Sequence, residues 1–263
     1  MSHHLVKVEL NKKIMNLILN DPEHQNTLSE DMILELDKNF KDAANDNNVK
    51  VIILSSTGPV FCAGHNLKDL HSKRSDKDRG RSYFEKIFKS CSNLMISIIK
   101  NPKPVIAAIN GIATASGCQL VASCDLAYAS TDSKFATPGV NIGLFCSTPM
   151  VALSRNANNK ASMEMLLTGD LIESIKAKEI GLINEVYSSE QLTEKVFGIA
   201  EKISSKSMAT LKIGKEAFYK QKEMTVEDAY NYTSSVMIEN MLKKDSEEGI
   251  SAFIQKRLPI WEE

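Results

Sequence analysis

Apolar and polar positions alternate along the first two-thirds of the chain in a pattern that predicts strands followed by helices. Leu5–Glu9 and Ile14–Leu19 flank a short polar turn and predict an antiparallel hairpin. Thr27 and Glu30 have the spacing of a helical capping box, and apolar residues then recur at helical intervals to about Ala44. We therefore expect a hairpin followed by an amphipathic helix.

The same pattern predicts the remaining elements of the chain. Strands are expected at Val49–Leu54, Val105–Ile109, Asp125–Ala129, Lys134–Ala136 and Ile183–Val186, and helices at Tyr83–Ile99, from near Ser116, and at Thr148–Asn156, Ala161–Leu167 and Ser174–Ile180. His71–Ser82 and Thr137–Pro149 are expected to be loops. From Ser189 onward the pattern is helical throughout, which places a boundary near residue 200 between a core at 1–200 and a helical region at 201–263. The fold class predicted is α/β.

Two stretches share one design, in which an apolar run leads into a turn of small residues and then a helix. Pro104–Asp125 contains Ala113 to Gly117 at its turn, and residues 58–70 contain Ala63 and Gly64. A helix start bared by small residues presents free backbone N–H groups and the positive end of the helix dipole. For either stretch alone, close packing of strand and helix is the simpler account. Together they indicate two N–H groups that converge as an oxyanion hole.

Composition excludes several classes of protein. The chain has 263 residues, 43% of them hydrophobic, and a formal net charge of −1, which argues against a dedicated binder of nucleic acid or anionic membranes. The basic segment His71–Ser82 is better explained as a solvated loop or one that meets phosphates of a ligand. Five cysteines without a CxxC pair indicate reduced, buried thiols, and the histidines lack the spacing of a metal site.

The sequence is also expected to show any membrane span or targeting signal through its apolar runs and its first residues. No apolar run reaches the ~18 residues that a membrane span needs. The N-terminus enters a strand pattern directly, without the features of a signal or transit peptide. We therefore expect a cytoplasmic protein with no membrane partner.

Several motifs resemble the enoyl-CoA hydratase/isomerase (crotonase) superfamily across nearly the whole chain. They are FCAGHNLKDL, KPVIAAINGIATASGCQLVASCDLAYAS, FATPGVNIGLFCSTP, ASMEMLLTGDLIESIKAKEIGLINEV and GISAFIQKRLPIWEE. ATASGCQ and GLFCSTP are most similar to the enoyl-CoA hydratase domain-containing proteins. The resemblance implies a crotonase fold, a spiral of stacked ββα units whose C-terminal helical region drives assembly of a homotrimer, or of a hexamer from two trimers.

The resemblance also implies a ligand and positions for its contacts. The ligand is an acyl-CoA thioester, and no cofactor is bound permanently. The oxyanion hole is formed by the backbone N–H groups of His65 and Ser116. Contacts with CoA or the acyl group fall to the matching positions Ala63, Gly64, Asn66, Leu67, Lys68, Gly117, Asn141 and Lys256. Lys256 is expected to reach the CoA phosphate of a neighbouring subunit.

The sequence departs from the family at both catalytic carboxylates. The positions that carry the two glutamates of the family's hydratases are Gln119 and Gly139 here. An amide does not shuttle protons near neutral pH and glycine has no side chain, so hydration by the usual acid–base route is in doubt. His65 and Cys146 are the possible replacements. The simpler expectations are that the His65 ring faces solvent or CoA and that the thiol is structural.

Three function classes therefore stay open. The first is an enzyme of the hydratase or isomerase type with altered acid–base groups. The second is a CoA-thioester enzyme that needs only the oxyanion hole, as decarboxylation of a malonyl-type thioester does. The third is a non-catalytic acyl-CoA binder.

Overall fold

The computed structural model describes residues 4–262, which form strands and helices in the alternation that the sequence predicts. The strands are β1 (Val6–Asn11), β2 (Ile14–Leu19), β3 (Val51–Ser56), β4 (Val60–Cys62), β5 (Val105–Ile109), β6 (Ile112–Thr114), β7 (Leu126–Ser130), β8 (Lys134–Ala136), β9 (Ile172–Glu173) and β10 (Glu185–Tyr187). The helices are α1 (Glu30–Asn45), α2 (Leu67–Ser72), α3 (Arg81–Ile99), α4 (Ser116–Ser123), α5 (Ser147–Asn156), α6 (Asn159–Thr168), α7 (Ser174–Glu179), α8 (Ser189–Ser204), α9 (Met208–Gln221), α10 (Val226–Met241) and α11 (Lys244–Ile254).

The strands form two sheets, and the chain adds strands to the two sheets alternately. The larger sheet has the order β1-β2-β3-β5-β7-β10, and the smaller has the order β4-β6-β8-β9. Strand β1 is antiparallel to β2, β9 is antiparallel to β8, and the other pairs are parallel. The successive pairs β3/β4, β5/β6 and β7/β8 each add one strand to each sheet. This repetition produces the spiral of ββα units that the resemblance implied.

The central strands of the larger sheet are buried on both faces. Side chains of α1 and α3, among them Phe40 and Leu94, pack with one face and with the smaller sheet. Leu192 and Val196 of α8 cover the other face beside Ile53. Because both faces are apolar, β3 and β5 carry unbroken apolar runs and not an alternating pattern.

The structure corrects the predictions in three places. Helix α1 begins at Glu30, and its N-cap is Ser29, whose Oγ accepts the Met32 N–H at 3.2 Å, so the capping box at Thr27 is wrong. The segment expected to be a loop at 71–82 includes the end of α2 and a 3₁₀ turn at Lys73–Ser75. The segment 137–149 contains a 3₁₀ helix at Pro138–Ile142 and the start of α5.

Strands β4 and β6 were also missed, because each is three residues long and runs directly into a turn of small residues. The boundary near residue 200 falls inside α8, and the division into two regions stays a prediction. Within residues 4–262, no helix is both long and apolar enough to cross a membrane. All five cysteines are buried and unpaired, as expected.

A buried charge cluster attaches α9 to the core. Lys215 Nζ lies 2.6 Å from an Asp125 carboxylate oxygen, and Tyr219 OH donates to the other oxygen at 2.9 Å. The Val105 N–H also donates to this carboxylate, at 2.7 Å. Only 8% of the Lys215 side chain is exposed, so the pair is strongly desolvated and removal of either partner leaves a buried charge. The cluster therefore fixes α9 beside α4.

Candidate functional site

The two small-residue turns leave the same edge of the smaller sheet. Strands β4 and β6 are parallel neighbours, with Cys62 opposite Ala113. The carboxyl ends of parallel strands meet at one sheet edge, so the turns that follow them lie side by side. The turn after β4 leads to His65, and the turn after β6 leads to Ser116 at the start of α4.

Glycine at two positions permits the turns to touch. A Cβ on Gly117 would lie 2.0 Å from the Cys62 carbonyl oxygen, which no side chain can tolerate. Gly64 has φ +88°, and a Cβ there would lie 3.2 Å from the Ser116 nitrogen. The backbone of the first turn is thus within contact distance of the amide that starts α4.

Hydrogen bonds hold the first turn in place. The Ala63 N–H donates to the Gln25 carbonyl at 3.1 Å, and the Gly64 carbonyl accepts the Leu28 N–H at 2.8 Å. Thr114 Oγ1 donates to the Ala63 carbonyl at 3.1 Å, which ties this turn to β6. The N–H groups of His65 and Ser116 themselves have no hydrogen-bond acceptor within the described part of the chain. Two rigid, neighbouring donors without acceptors are what an oxyanion hole requires.

Ala115, immediately before Ser116, carries backbone strain. Its φ is +50° and its ψ is −118°, a region that residues with a Cβ rarely occupy. Such conformations cost about 1–3 kcal/mol and cluster at functional sites, where the surrounding structure enforces them. Here the strain turns the chain sharply from β6 into α4, where Ser116 is the first residue.

His65 is half-buried, and its ring is held against the Leu28 carbonyl and Phe88 and does not extend into solvent, while its contact with CoA stays a prediction. Its Nδ1 lies 3.1 Å from the Leu28 carbonyl oxygen, and the ring meets Phe88 edge-on, with centroids 5.4 Å apart. A carbonyl only accepts, so Nδ1 carries the hydrogen and Nε2 is left as a buried acceptor without a partner. Burial lowers the pKa of the imidazole, against a smaller opposing effect of the Leu28 carbonyl. The ring is therefore neutral at physiological pH.

Gln119 lies one helical turn after Ser116 and is 5% exposed. Its Oε1 is buried and has no hydrogen-bond partner. The residue borders a cavity of about 820 Å³ between α3, α4, α5 and α9, which we call the four-helix cavity. A neutral amide thus forms part of the cavity wall, and its correspondence with a catalytic glutamate stays a prediction.

Gly139 lies in the 3₁₀ helix after β8, a parallel neighbour of β6, and so follows the same sheet edge. A Cβ at this position would lie 2.7 Å from the Leu144 carbonyl oxygen and 2.9 Å from Cys146 Sγ. The Gly139 carbonyl also accepts the Leu144 N–H at 2.9 Å. The loop packs so closely on Gly139 that it leaves no room for a side chain. Burial raises the pKa of the Cys146 thiol, which does not favour a nucleophilic role.

The other predicted contact residues have different surroundings. Asn66 is the N-cap of α2 and accepts the Lys68 N–H at 3.0 Å, so its side chain already has a structural role. Leu67 and Lys68 are exposed beside it. Asn141 is exposed and lies near Gly169 at the end of α6. Within the described part of the chain, Lys256, beyond α11, makes no hydrogen bond with either turn. The CoA-binding roles of these residues stay predictions.

The four-helix cavity could not be predicted from the sequence. Lys215 and Tyr219, which line it, are bound to Asp125 some 90 residues earlier in the chain. A pattern of local periodicity carries no information about such a pair. The only sequence signal was the i, i+4 spacing of the two residues, which places them on one face of α9.

Relief of the strain at Ala115 is the first testable consequence. Ala115→Gly is expected to raise the free energy of unfolding by about 1 kcal/mol, because strain relief exceeds the entropic cost of glycine. Urea unfolding measures the change. Ala113→Gly, two residues earlier in β6 and without positive φ, serves as the control and should lose about 0.5–1 kcal/mol. Equal losses in both variants would show that Ala115 is unstrained.

The buried His65 ring predicts a pH dependence of stability. Its folded pKa is below the ordinary value of 6.5, so below that pH the unfolded chain binds a proton that the folded chain does not. The contribution is present above pH 6.5 and is lost as the pH falls toward the folded pKa. His65→Asn keeps a donor toward Leu28 and does not titrate, so its stability should fall less between pH 7 and pH 5, as measured by urea unfolding.

His24 provides a control of opposite sign. It is exposed, and its hydrogen bond to Asp21 raises the pKa of its imidazole. Its contribution is therefore present below pH 6.5 and is lost as the pH rises through the folded pKa. His24→Asn should consequently make the loss of stability on acidification larger. Parallel pH profiles for His65→Asn and the unchanged protein would contradict the buried, neutral ring.

Comparison with known proteins gives matches along nearly the whole chain. The family model for enoyl-CoA hydratase/isomerase matches residues 9–263. Enoyl-CoA hydratase domain-containing protein 3, mitochondrial, from Rattus norvegicus is 47% identical over 248 residues, which cover 94% of this chain and 81% of that protein. The crystal structure of human enoyl-CoA hydratase domain-containing protein 3 has a TM-score of 0.93 and 45% identity, and the match covers 98% of this chain and 100% of that one. The crystal structure of an enoyl-CoA hydratase from Mycobacterium smegmatis has a TM-score of 0.94 and 43% identity, and the match covers 98% of this chain and 99% of that one.

These relatives confirm the crotonase fold and the similarity to the enoyl-CoA hydratase domain-containing proteins. They also overturn the predicted cytoplasmic location, because the rat, human, mouse and Xenopus laevis relatives are named mitochondrial. The cytoplasmic prediction rested on the absence of signal- or transit-peptide features in the first residues, which does not determine a compartment. By the family match and by these relatives, the chain belongs to the enoyl-CoA hydratase/isomerase family.

Proposed function

We propose that the protein binds acyl-CoA thioesters and polarises the thioester carbonyl with the backbone N–H groups of His65 and Ser116. The observation that carries this proposal is the contact between the two turns, where both amides lack an acceptor. A carbonyl oxygen bound by two such donors acidifies the adjacent Cα–H bonds and lowers the energy of an enolate-like transition state. Each donor contributes about 2.7–4 kcal/mol to transition-state stabilisation in comparable sites.

The surroundings of this site favour chemistry that needs no protein carboxylate. Gln119 is neutral, and Gly139 is packed against Leu144 and Cys146. The buried His65 ring is committed to the Leu28 carbonyl through Nδ1. Loss of a general acid or base lowers rates by roughly 10²–10⁴-fold. We therefore expect hydration of enoyl thioesters to be slow.

Decarboxylation of a malonyl-type thioester is the second candidate, and the amide of Gln119 favours it. The bond between Cα and the carboxylate carbon breaks, CO₂ leaves, and the electron pair stays on the thioester as an enolate. Water then supplies the proton to Cα. The oxyanion hole stabilises the enolate, and an amide at Gln119 does not repel the substrate carboxylate as a glutamate would. A non-catalytic acyl-CoA binder is the remaining possibility.

One experiment separates these functions. Purified protein is given crotonyl-CoA and malonyl-CoA, with loss of enoyl absorbance and release of CO₂ as the two readouts, and butyryl-CoA binding is measured by calorimetry. We expect butyryl-CoA to bind and the unchanged protein to hydrate crotonyl-CoA roughly 10²–10⁴-fold more slowly than a hydratase with both carboxylates. Gln119→Glu should raise hydration and lower any release of CO₂.

The choice of variant follows from the structure. A Gly139→Glu change would force the loop at Leu144 to move, so Gln119→Glu is tested alone, with Gln119→Met as the matched variant that cannot titrate. Efficient hydration by the unchanged protein would contradict the assignment of Gln119 and Gly139. Absence of butyryl-CoA binding would contradict the proposed function itself.

We also propose that the C-terminal helices assemble the protein into a homotrimer or a hexamer. Phe253 and Leu258 are 84% and 87% exposed, and large apolar side chains recur on the exposed surface of α10 and α11. Exposed apolar surface of this kind marks interaction sites. Light scattering is expected to give the mass of three or six chains of 29.1 kDa. Phe253→Glu should shift the mass toward a single chain, whereas a monomeric unchanged protein would contradict this proposal.

A further inference from the structure

The four-helix cavity has an apolar interior. The apolar side chains on its wall come from α3, α4 and α5, and they are Met95, Ile96, Ile99, Ala122, Val151 and Ala152. Helix α9 closes the remaining side and is fixed there by the Asp125 cluster. A cavity of about 820 Å³ with such walls fits a hydrocarbon chain.

Helix α4 connects the cavity wall to the proposed oxyanion hole. Gln119 is part of its wall and lies three residues after Ser116, which corresponds to about 4.5 Å along the helix axis. Ala122 and Ser123 continue the wall along α4 toward the Asp125 cluster. A thioester whose carbonyl is held at Ser116 would pass its acyl chain along Gln119 to enter the cavity.

The charged residues around the cavity are mostly basic. Six cationic side chains line it, and only two acidic ones do; the cations are Lys100, Arg155, Lys212, Lys215, Lys220 and Lys222, and the acids are Glu216 and Glu223. An excess of cations over a low-dielectric wall attracts an anionic group. A methyl-ended acyl chain makes no use of this charge.

Most of these cations already have partners. Lys215 is bound to Asp125, Arg155 lies 3.7 Å from Glu223, and Lys220 stacks on Tyr232 at 4.5 Å. Lys222 donates to the Arg155 carbonyl at 3.2 Å and lies over the Phe218 ring.

Lys100 and Lys212 have no ion-pair partner among residues 4–262, although Glu216 lies one turn after Lys212. Lys100 follows the last residue of α3, and Lys212 lies on α9. The two therefore approach the cavity from different helices. Both are exposed, so their ammonium groups reach water as well as the cavity.

We propose that the four-helix cavity selects acyl-CoA thioesters whose acyl chain ends in a carboxylate, with Lys100 and Lys212 as the cations that receive it. The proposal rests on the proposed function, since the thioester must be held at His65 and Ser116. The apolar walls take the methylene chain, and the two lysines take the terminal charge. The substrate class is thus the CoA thioester of a dicarboxylic acid.

The test compares thioesters of equal chain length. Calorimetry on the full chain measures the affinities of sebacoyl-CoA, its monomethyl ester and decanoyl-CoA, with adipoyl-CoA and hexanoyl-CoA as the shorter pair. We expect sebacoyl-CoA to bind about fivefold more tightly than decanoyl-CoA, as for a partly exposed ion pair. The ester should bind like decanoyl-CoA, and the preference should shrink when salt screens the charges.

Two sets of variants locate the preference. Lys100→Met with Lys212→Met should remove it and leave decanoyl-CoA affinity unchanged, which also shows that the variant is folded. Lys202→Met is the matched control, since Lys202 is an exposed lysine on α8 outside the cavity, and it should keep the preference.

The outcomes distinguish this inference from the proposed function. Equal affinity for sebacoyl-CoA and decanoyl-CoA, or a preference that survives in the double variant, would overturn the inference and leave the thioester site standing. Failure of every thioester to bind would overturn both.

Discussion

The site depends on one close approach, that of α4 to the end of β4. Gly117 lies so near the Cys62 carbonyl that any side chain would separate helix and strand. This contact brings the Ser116 amide beside Gly64 and makes the two turns a single structure. The strained backbone of Ala115 is a consequence, because the chain must reverse sharply between β6 and α4 to make the contact. Packing and the proposed function therefore depend on the same feature, and the two explanations offered for the small residues do not exclude each other.

The edge of the smaller sheet that carries both turns also carries Gly139, and the packing there explains the absence of a carboxylate. Gly139 follows β8, as His65 and Ser116 follow β4 and β6, so a side chain there would point into shared space. The Leu144 carbonyl and Cys146 sulfur occupy that space instead. A Gly139→Glu substitution alone does not provide a catalytic carboxylate, because the loop packs too closely on this glycine to admit a side chain. The proposed oxyanion hole does not have this limitation, since its donors belong to the backbone.

Much of the fold could be predicted from the sequence, because buried parallel strands and amphipathic helices leave long apolar patterns. The hairpin of β1 and β2 and the buried strand β5 are examples. The three-residue strands β4 and β6 could not be predicted, although they determine the position of the turns. Their pairing depends on neighbours about fifty residues away, and local periodicity does not report such contacts.

The orientation of side chains was the second feature that could not be predicted from the sequence, and His65 shows why. Its place in the turn followed from the motif, but the direction of its ring depends on the Leu28 carbonyl and on Phe88, which belong to two other segments. A carbonyl acceptor fixes the tautomer, and burial then keeps the ring neutral. The residue that looked best suited to replace a lost acid or base is thereby withdrawn from solvent, while its backbone amide stays free.

Helix α9 forms one wall of the four-helix cavity and so limits which of the proposed ligands can enter it. The Asp125 carboxylate receives Lys215, Tyr219 and the Val105 amide, so one buried anion fixes both the start of β5 and the position of α9. Without α9, the four-helix cavity would be an open groove along α4, and its apolar wall would face water. The cluster lies beyond the far end of α4 from Ser116, where it touches no thioester carbonyl. Its effect on function comes through the shape and charge of the cavity, because the helix it holds also carries Lys212.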